Sequence, residues 1–199
     1  MEEKARKSWG PGRVVKFGLL AVGVLIFSAV SYCSLVHVYG PYYGTVVDLE
    51  TQEPIEGAVV LVWFYFSTVG AGSEGPAQFV DAAEAVTDSS GRFSIPMKVE
   101  FNRGWVGWWD PDASVRVFKA GYGCYPLHRG SLPHIFPSFT IPAWESVRIQ
   151  LPKARGPTER LKSTSCAPDI HIPCQKARRM LEAINEERQA LNAGKLSCP

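Results

Sequence analysis

Hydrophobic positions follow three rhythms along the chain. Across residues 17–38 (FGLLAVGVLIFSAVSYCSLVHV) they are nearly continuous, and no side chain there carries a full charge at neutral pH. At about 1.5 Å per residue such a run would reach about 33 Å as a helix, enough for a hydrocarbon layer of about 30 Å. From Tyr39 the rhythm changes to short stretches of period two punctuated by turn residues, the pattern of half-buried strands. It predicts strands over residues 44–48, 59–66, 78–88, 91–99, 113–120 and 146–151. The stretch 59–66 is β-branched and aromatic almost throughout, which suits a central strand. Residues 51–54 read as a turn ended by Pro54, residues 67–77 as a flexible loop, and residues 88–91 as a hairpin turn opened by Asp88 and closed by Gly91. A polar, Pro-containing linker over 154–172 leads to the third rhythm. Ala177, Leu181, Ile184 and Leu191 recur at near-helical spacing and predict one helix over about 174–192, with Gly194 at its C-cap. One narrow apolar stripe must pack on something, either the sandwich edge or a partner helix.

Charge divides the chain along the same lines. Residues 1–16 carry five basic against two acidic side chains, residues 17–152 seven against twelve, and residues 153–199 nine against five. The basic segment before the apolar run places residues 1–16 in the cytoplasm and residues after Tyr39 on the far side of a membrane, periplasmic or extracellular. An uncleaved transmembrane signal anchor over 17–38 is the leading reading. A signal peptide cleaved near Ala29-Val30-Ser31, and a lipoprotein acylated at Cys33, are its rivals; Tyr32 before Cys33 disfavours the last. The acidic middle excludes nucleic acid as a partner, because phosphate recognition needs a basic face. The basic tail suits docking on the chain's own acidic sandwich, with an envelope protein bound through the C-terminal helix as the alternative.

Five cysteines refine the export reading. Cys33 lies in the apolar run, leaving Cys124, Cys166, Cys174 and Cys198 beyond it, an even number that predicts two disulfides in an oxidising compartment. Three connectivities are possible, and the preferred one joins Cys166 to Cys174 and Cys124 to Cys198.

The strand and turn residues carry a further pattern: Gly44-x-Val46-x-Asp48, Thr51-x-x-Pro54-Ile55-x-Gly57-Ala58-x-Val60, Thr87-Asp88-x-x-Gly91-x-Phe93, Gly121-Tyr122 and Val147-x-Ile149-x-Leu151. In this order they resemble the carboxypeptidase regulatory-like family over about residues 41–153. The resemblance implies a mainly β fold, a seven-stranded antiparallel Greek-key sandwich of transthyretin-like type, here preceded by one transmembrane helix and followed by a short C-terminal helix. Such sandwiches are accessory modules on many proteins, so the fold carries little about function.

Candidate chemistry is sparse. Tyr122, Tyr125, His128 and His134 form the best metal-like cluster and resemble, loosely, the ligands of intradiol dioxygenases, but the two His are six residues apart in a Pro-containing loop. Trp105, Trp108 and Trp109 between two strands could stack on a sugar ring or pack over one end of the sandwich. Asp110 and Asp112 beside them fall short of the oxygen count a Ca²⁺ site needs. The expectation is therefore a non-enzymatic, membrane-tethered binding or structural module of the cell envelope without a cofactor, with an iron enzyme and a carbohydrate-binding module as alternatives.

Overall fold

The computed structural model describes residues 22, 35–69, 74–102, 104, 107–110, 112–126 and 140–197. Ten strands run through it in order: β1 (Val36–Tyr39), β2 (Tyr42–Asp48), β3 (Val59–Val69), β4 (Glu74–Val86), β5 (Arg92–Ile95), β6 (Lys98–Phe101), β7 (Gly107–Trp109), β8 (Ala113–Phe118), β9 (Thr140–Ile141) and β10 (Ser146–Leu151). Two α-helices follow, α1 (Pro157–Ser163) and α2 (Arg178–Ala190), with a 3-10 turn at Cys174–Lys176 between them. One sheet has the order β10-β2-β5; the other has the order β4-β3-β8-β9, with β7 also on β3; β1 and β6 form a separate ribbon.

The two larger sheets meet across one core. Val60, Val62, Phe64 and Phe66 of β3 join Val115 and Val117 of β8, Val46 of β2, Phe93 and Ile95 of β5, and Ile149 and Leu151 of β10. The alternate residues of β3 are buried too. Val59, Leu61 and Trp63 face Phe118, Cys124, Cys166, Ile172, Ala177, Met180 and Ile184. The molecule therefore has a third layer, built from the C-terminal tail and laid over the outer face of the second sheet. This explains why residues 59–66 read as continuous apolar sequence: a strand covered on both faces has no polar side. Each such Val, Leu or Phe contributes roughly 1.5–3 kcal/mol by leaving water.

Several expectations are corrected. The sandwich is not wholly antiparallel, for β10 runs parallel to β2. A parallel neighbour requires a long crossover, and the chain between β2 and β10 supplies it. Gly44 lies opposite Val147 in this pair, where a Cβ would come within 2.2 Å of the Val147 carbonyl oxygen, so glycine admits the close strand. The turn at 88–91 does not close a hairpin: β4 pairs with β3, whereas β5 pairs with β2, so the chain crosses from one sheet to the other there. Its local chemistry is still that of a tight turn. Asp88 Oδ1 accepts from the N–H of Ser90 and of Arg92, both at 2.9 Å, and Gly91 has φ +70°. The expected strand 91–99 breaks into β5 and β6 at Pro96, which has no N–H to give a ladder. The expected loop 67–77 shortens because β3 and β4 extend into it, with irregular register between Phe64 and Tyr65 and between Ser67 and Val69.

At the N-terminal end, the expected span 17–38 lies outside the described residues except for Val22 and residues 35–38. Val36 to Val38, expected at the end of that span, instead belong to β1, paired with β6. Among the described residues no helix is long and apolar enough to cross a membrane.

At the other end, the expected linker contains α1, and the expected helix is a 3-10 turn followed by α2. The helix packs on the face of the second sheet rather than on its edge. Its buried positions are Ala177, Met180, Ile184 and Glu187, so Leu181 and Leu191 turn partly outward. Asn192, at φ +55°, takes the left-handed position after α2 in place of Gly194, and the Ala193 N–H bonds to the Arg188 carbonyl at 2.8 Å.

Candidate functional site

Period-two geometry builds a cleft on the outer face of the second sheet. Trp63 and Tyr65 of β3 point the same way, and Trp63 lies directly opposite Ser114 of β8, two residues from Arg116. In sequence Ser114-Val115-Arg116-Val117 reads as an ordinary polar-out strand. The tail changes that. A disulfide joins Cys124 to Cys166, with Cα atoms 6.1 Å apart and a sequence separation of 42. Both cysteines are buried. The bond fixes Ala167 and Asp169 above β8, where an Arg116 terminal N–H donates to the Ala167 carbonyl. Trp63, Tyr65, Ser114, Val115, Arg116, Pro126 and Asp169 then enclose about 260 Å³.

Two donors in this cleft are unused. The indole N–H of Trp63, whose side chain is 6% exposed, and the Nε–H of Arg116 are buried and lack hydrogen-bond partners. The guanidinium carbon sits 5.4 Å from the centre of the Trp63 ring, a cation–π arrangement that holds the two donors close together. Tyr65 is near enough to feel the indole N–H, without the geometry of a hydrogen bond. Burial pushes the Arg116 guanidinium below its usual pKa, against the opposing fields of Asp169 and Tyr65. Burial, then the Asp169 charge, pushes the Tyr65 hydroxyl up. An unmatched buried donor costs roughly 1–3 kcal/mol, so an acceptor that reaches either donor recovers that cost. The Arg116 charge favours a carboxylate over a neutral carbonyl, working against the Asp169 carboxylate at the same cleft.

Four carboxylates outside the cleft tie segments of the chain together. Glu187 of α2 is buried and receives a forked pair of hydrogen bonds from Arg160 of α1, both 2.7 Å, and a third from the Gly121 N–H at 3.1 Å. The Arg160 hydrogen bond, with Gly121 assisting against burial, holds the Glu187 carboxyl below the usual range. Asp48, at the end of β2, accepts from the N–H groups of Glu50 and Thr51 at 2.8 and 3.0 Å and pairs with Lys153 at 3.3 Å. Burial alone would raise its pKa, but the Thr51 and Glu50 N–H groups and Lys153 outweigh that and lower it. On β4, Asp81 pairs with Lys98 of β6 and with Lys176 of the tail, the latter at 2.8 Å. Glu84, also on β4, caps α2 by accepting from the N–H groups of Arg179 and Met180 at 3.0 and 2.8 Å. The basic tail does dock on the acidic sandwich, through these contacts.

The residues singled out in the sequence fall elsewhere. Trp108 and Trp109 lie on β7 rather than in a loop, paired with Ser67 and Phe66; Trp108 is exposed, and Trp109 packs edge-on against Phe66 at 5.0 Å. Trp105 lies outside the described residues. Asp110 accepts from the Ser67 hydroxyl at 2.8 Å. The Tyr122 hydroxyl donates to Asp48 at 3.3 Å, while Tyr125 is buried in the sandwich core, so the two tyrosines serve separate places. His128, His134, Cys33 and Cys198 lie outside the described residues. The preferred disulfide pairing is overturned, since Cys124 bonds to Cys166; Cys174 is also disulfide-bonded. Leu181, expected to face the core, lines a shallower concavity of about 250 Å³ beside α2 with Arg178, Asn185 and Leu196. Sequence reading missed Arg116 and Trp63. The one signal was the indole of Trp63, which carries an N–H within the otherwise apolar start of β3.

No protein-family model matches the sequence, and no curated protein matches it. Two solved structures show distant similarity. An alternative pilotin from the type II secretion system of Vibrio cholerae is 18% identical, with 61% of this chain and 99% of that one covered and a TM-score of 0.29. A 9R-lipoxygenase from Cyanothece PCC8801 is 13% identical, with 77% of this chain and 24% of that one covered and a TM-score of 0.27. At those scores neither carries an argument about this chain, whose chemistry rests on its own cleft.

Proposed function

We propose that the chain is a non-enzymatic module of the cell envelope, held at the membrane by residues 17–35 and displaying its sandwich outside the cytoplasm, where the Trp63–Arg116 cleft binds a carboxylate-bearing ligand. The observation that carries the reading is the pair of buried donors without partners, the Trp63 indole N–H and the Arg116 Nε–H, on two residues that line one cleft. Export is supported by the Cys124–Cys166 bond, since disulfides persist in oxidising compartments. The carboxypeptidase regulatory-like, transthyretin-like reading is supported by what its motif residues do. The Thr87 hydroxyl donates to the Ile55 carbonyl at 2.7 Å and accepts from the Ala58 N–H at 2.8 Å, which ties the Pro54–Ala58 segment to the Thr87–Gly91 turn.

The test is a binding titration of the full chain in detergent against short peptides that lack Asp and Glu, with free or amidated C-termini. Peptides with a free carboxylate should bind, and Arg116→Gln should weaken them at least tenfold. Trp63→Phe, which removes one donor and keeps an aromatic wall, should weaken them several-fold. Equal binding of all peptides to the wild type and both variants would refute the assignment.

A further inference from the structure

The β1–β6 ribbon has its polarity reversed. In an antiparallel pair, residues opposite one another share a face. Val36 faces Phe101 and Val38 faces Val99; His37 faces Glu100 and Tyr39 faces Lys98. The polar set turns inward. Tyr39 stacks on Phe64 at 4.2 Å, His37 stacks on Trp109 at 5.5 Å, and Lys98 pairs with Asp81. The apolar set therefore turns out, with Phe101 66%, Val99 47% and Val38 44% exposed, and Leu35 and Met97 exposed at the two ends. A strand pair on a protein surface ordinarily does the opposite, apolar in and polar out. Its inward side is committed to the sandwich, so a flip cannot hide the valines.

What meets this face follows from where the chain comes from. The uncharged run begins at Phe17, and β1 begins at Val36. Once β1 is removed from the expected span, residues 17–35 remain, which as a helix would cover about 28 Å, close to the thickness of a hydrocarbon layer. No polar linker intervenes between that run and β1, so a chain inserted through it holds the ribbon within a residue or two of the lipid surface. We infer that the Val36–Val38–Val99–Phe101 face is a lipid-docking surface that seats the ribbon in the membrane interface and sets the orientation of the sandwich. The inference rests on the membrane-tether reading. Phe101, the most exposed of the four, is the natural residue to enter the acyl boundary, where aromatic rings are favoured.

The experiment uses the full chain carrying Cys33→Ser, reconstituted into phosphatidylethanolamine–phosphatidylglycerol vesicles. A bimane probe is placed by Val99→Cys, by Phe101→Cys, or by Ser146→Cys on the exposed start of β10 as a control. Flotation is read on the same samples as quenching by lipids brominated along the acyl chain. The expected result is co-flotation of all three, with bimane emission blue-shifted and quenched at least threefold more at positions 99 and 101 than at 146. Co-flotation with equal, water-like emission at all three positions overturns the docking surface and leaves the tether standing. Failure to float overturns the tether and the docking surface with it.

Discussion

Removing the Cys124–Cys166 bond by a double Cys124→Ala/Cys166→Ala substitution perturbs the element that fixes the third layer. The bond closes a loop with a sequence separation of 42. Chain-entropy arithmetic for such a loop gives about 13 cal/mol/K of denatured-state entropy removed, or about 4 kcal/mol at 25 °C. The two sulfurs are buried among Leu61, Trp63, Phe118 and Ile172, so their loss also opens a small apolar void and adds to the effect. A chain of this size loses roughly 2–4 °C of Tm per kcal/mol, so the variant should melt roughly 8–16 °C lower. The assay is urea unfolding followed by near-UV circular dichroism, comparing midpoints at equal slope, with thermal melts as a check. Cleft binding gives an independent reading, because Ala167 and Asp169 follow directly on Cys166. A loss under about 1 kcal/mol at unchanged slope would refute the reasoning, since it would mean that the tail stays docked without the bond and that the loop is not what the bond restrains.

Other outcomes follow from the buried carboxylates. Arg160→Ala leaves the buried Glu187 carboxylate with the Gly121 N–H alone and should lower the urea midpoint, whereas Arg160→Ala/Glu187→Met should recover most of the loss. Asp48 and Glu187 both have lowered pKa values when folded; their contribution is full above the ordinary carboxylate range and is lost as pH falls through it and below. Stability should therefore begin to drop below about pH 5 and go on dropping below the ordinary carboxylate range, and Glu187→Gln should show a shallower drop from a lower starting point; parallel curves would contradict this. Glu84→Ala removes the cap from α2 and should cost about 1 kcal/mol, read as faster amide exchange in the first turn of α2 with β2 and β5 unaffected.

Local rules carried much of the fold. The β-branched and aromatic run of β3 marked a central strand, and the Asp88 turn could be read from its residue types. That turn also shows where local rules stop. Asp88 and Gly91 specify a reversal of the chain, but whether the next strand pairs with β4 or with β2 depends on where Phe93 and Ile95 find a core. The cysteine pairing failed for a similar reason. Cys166 and Cys174 are neighbours in sequence, yet Cys166 sits over the face of β3, where Cys124 already lies. The cleft was hidden because its walls come from β3, β8 and the tail, and an alternating Ser114–Val117 segment looks solvated until something covers it. The tryptophans at 108 and 109 attracted attention because they are adjacent; strand geometry sends adjacent residues to opposite faces, so they do not act as a cluster.

The three-layer stack sets an order on biogenesis. As the polypeptide emerges from its N-terminal end, β3, β4 and β8 can pair before the tail exists, and until it arrives Val59, Leu61, Trp63 and Phe118 form a bare aromatic and aliphatic plane. β10, the last strand of the first sheet, precedes the tail directly, so sandwich closure and tail docking fall late and close together. During that interval the chain is a sheet with one sticky side. A holdase would meet it in that form, and oxidation at Cys124 and Cys166 marks the moment at which the plane is closed.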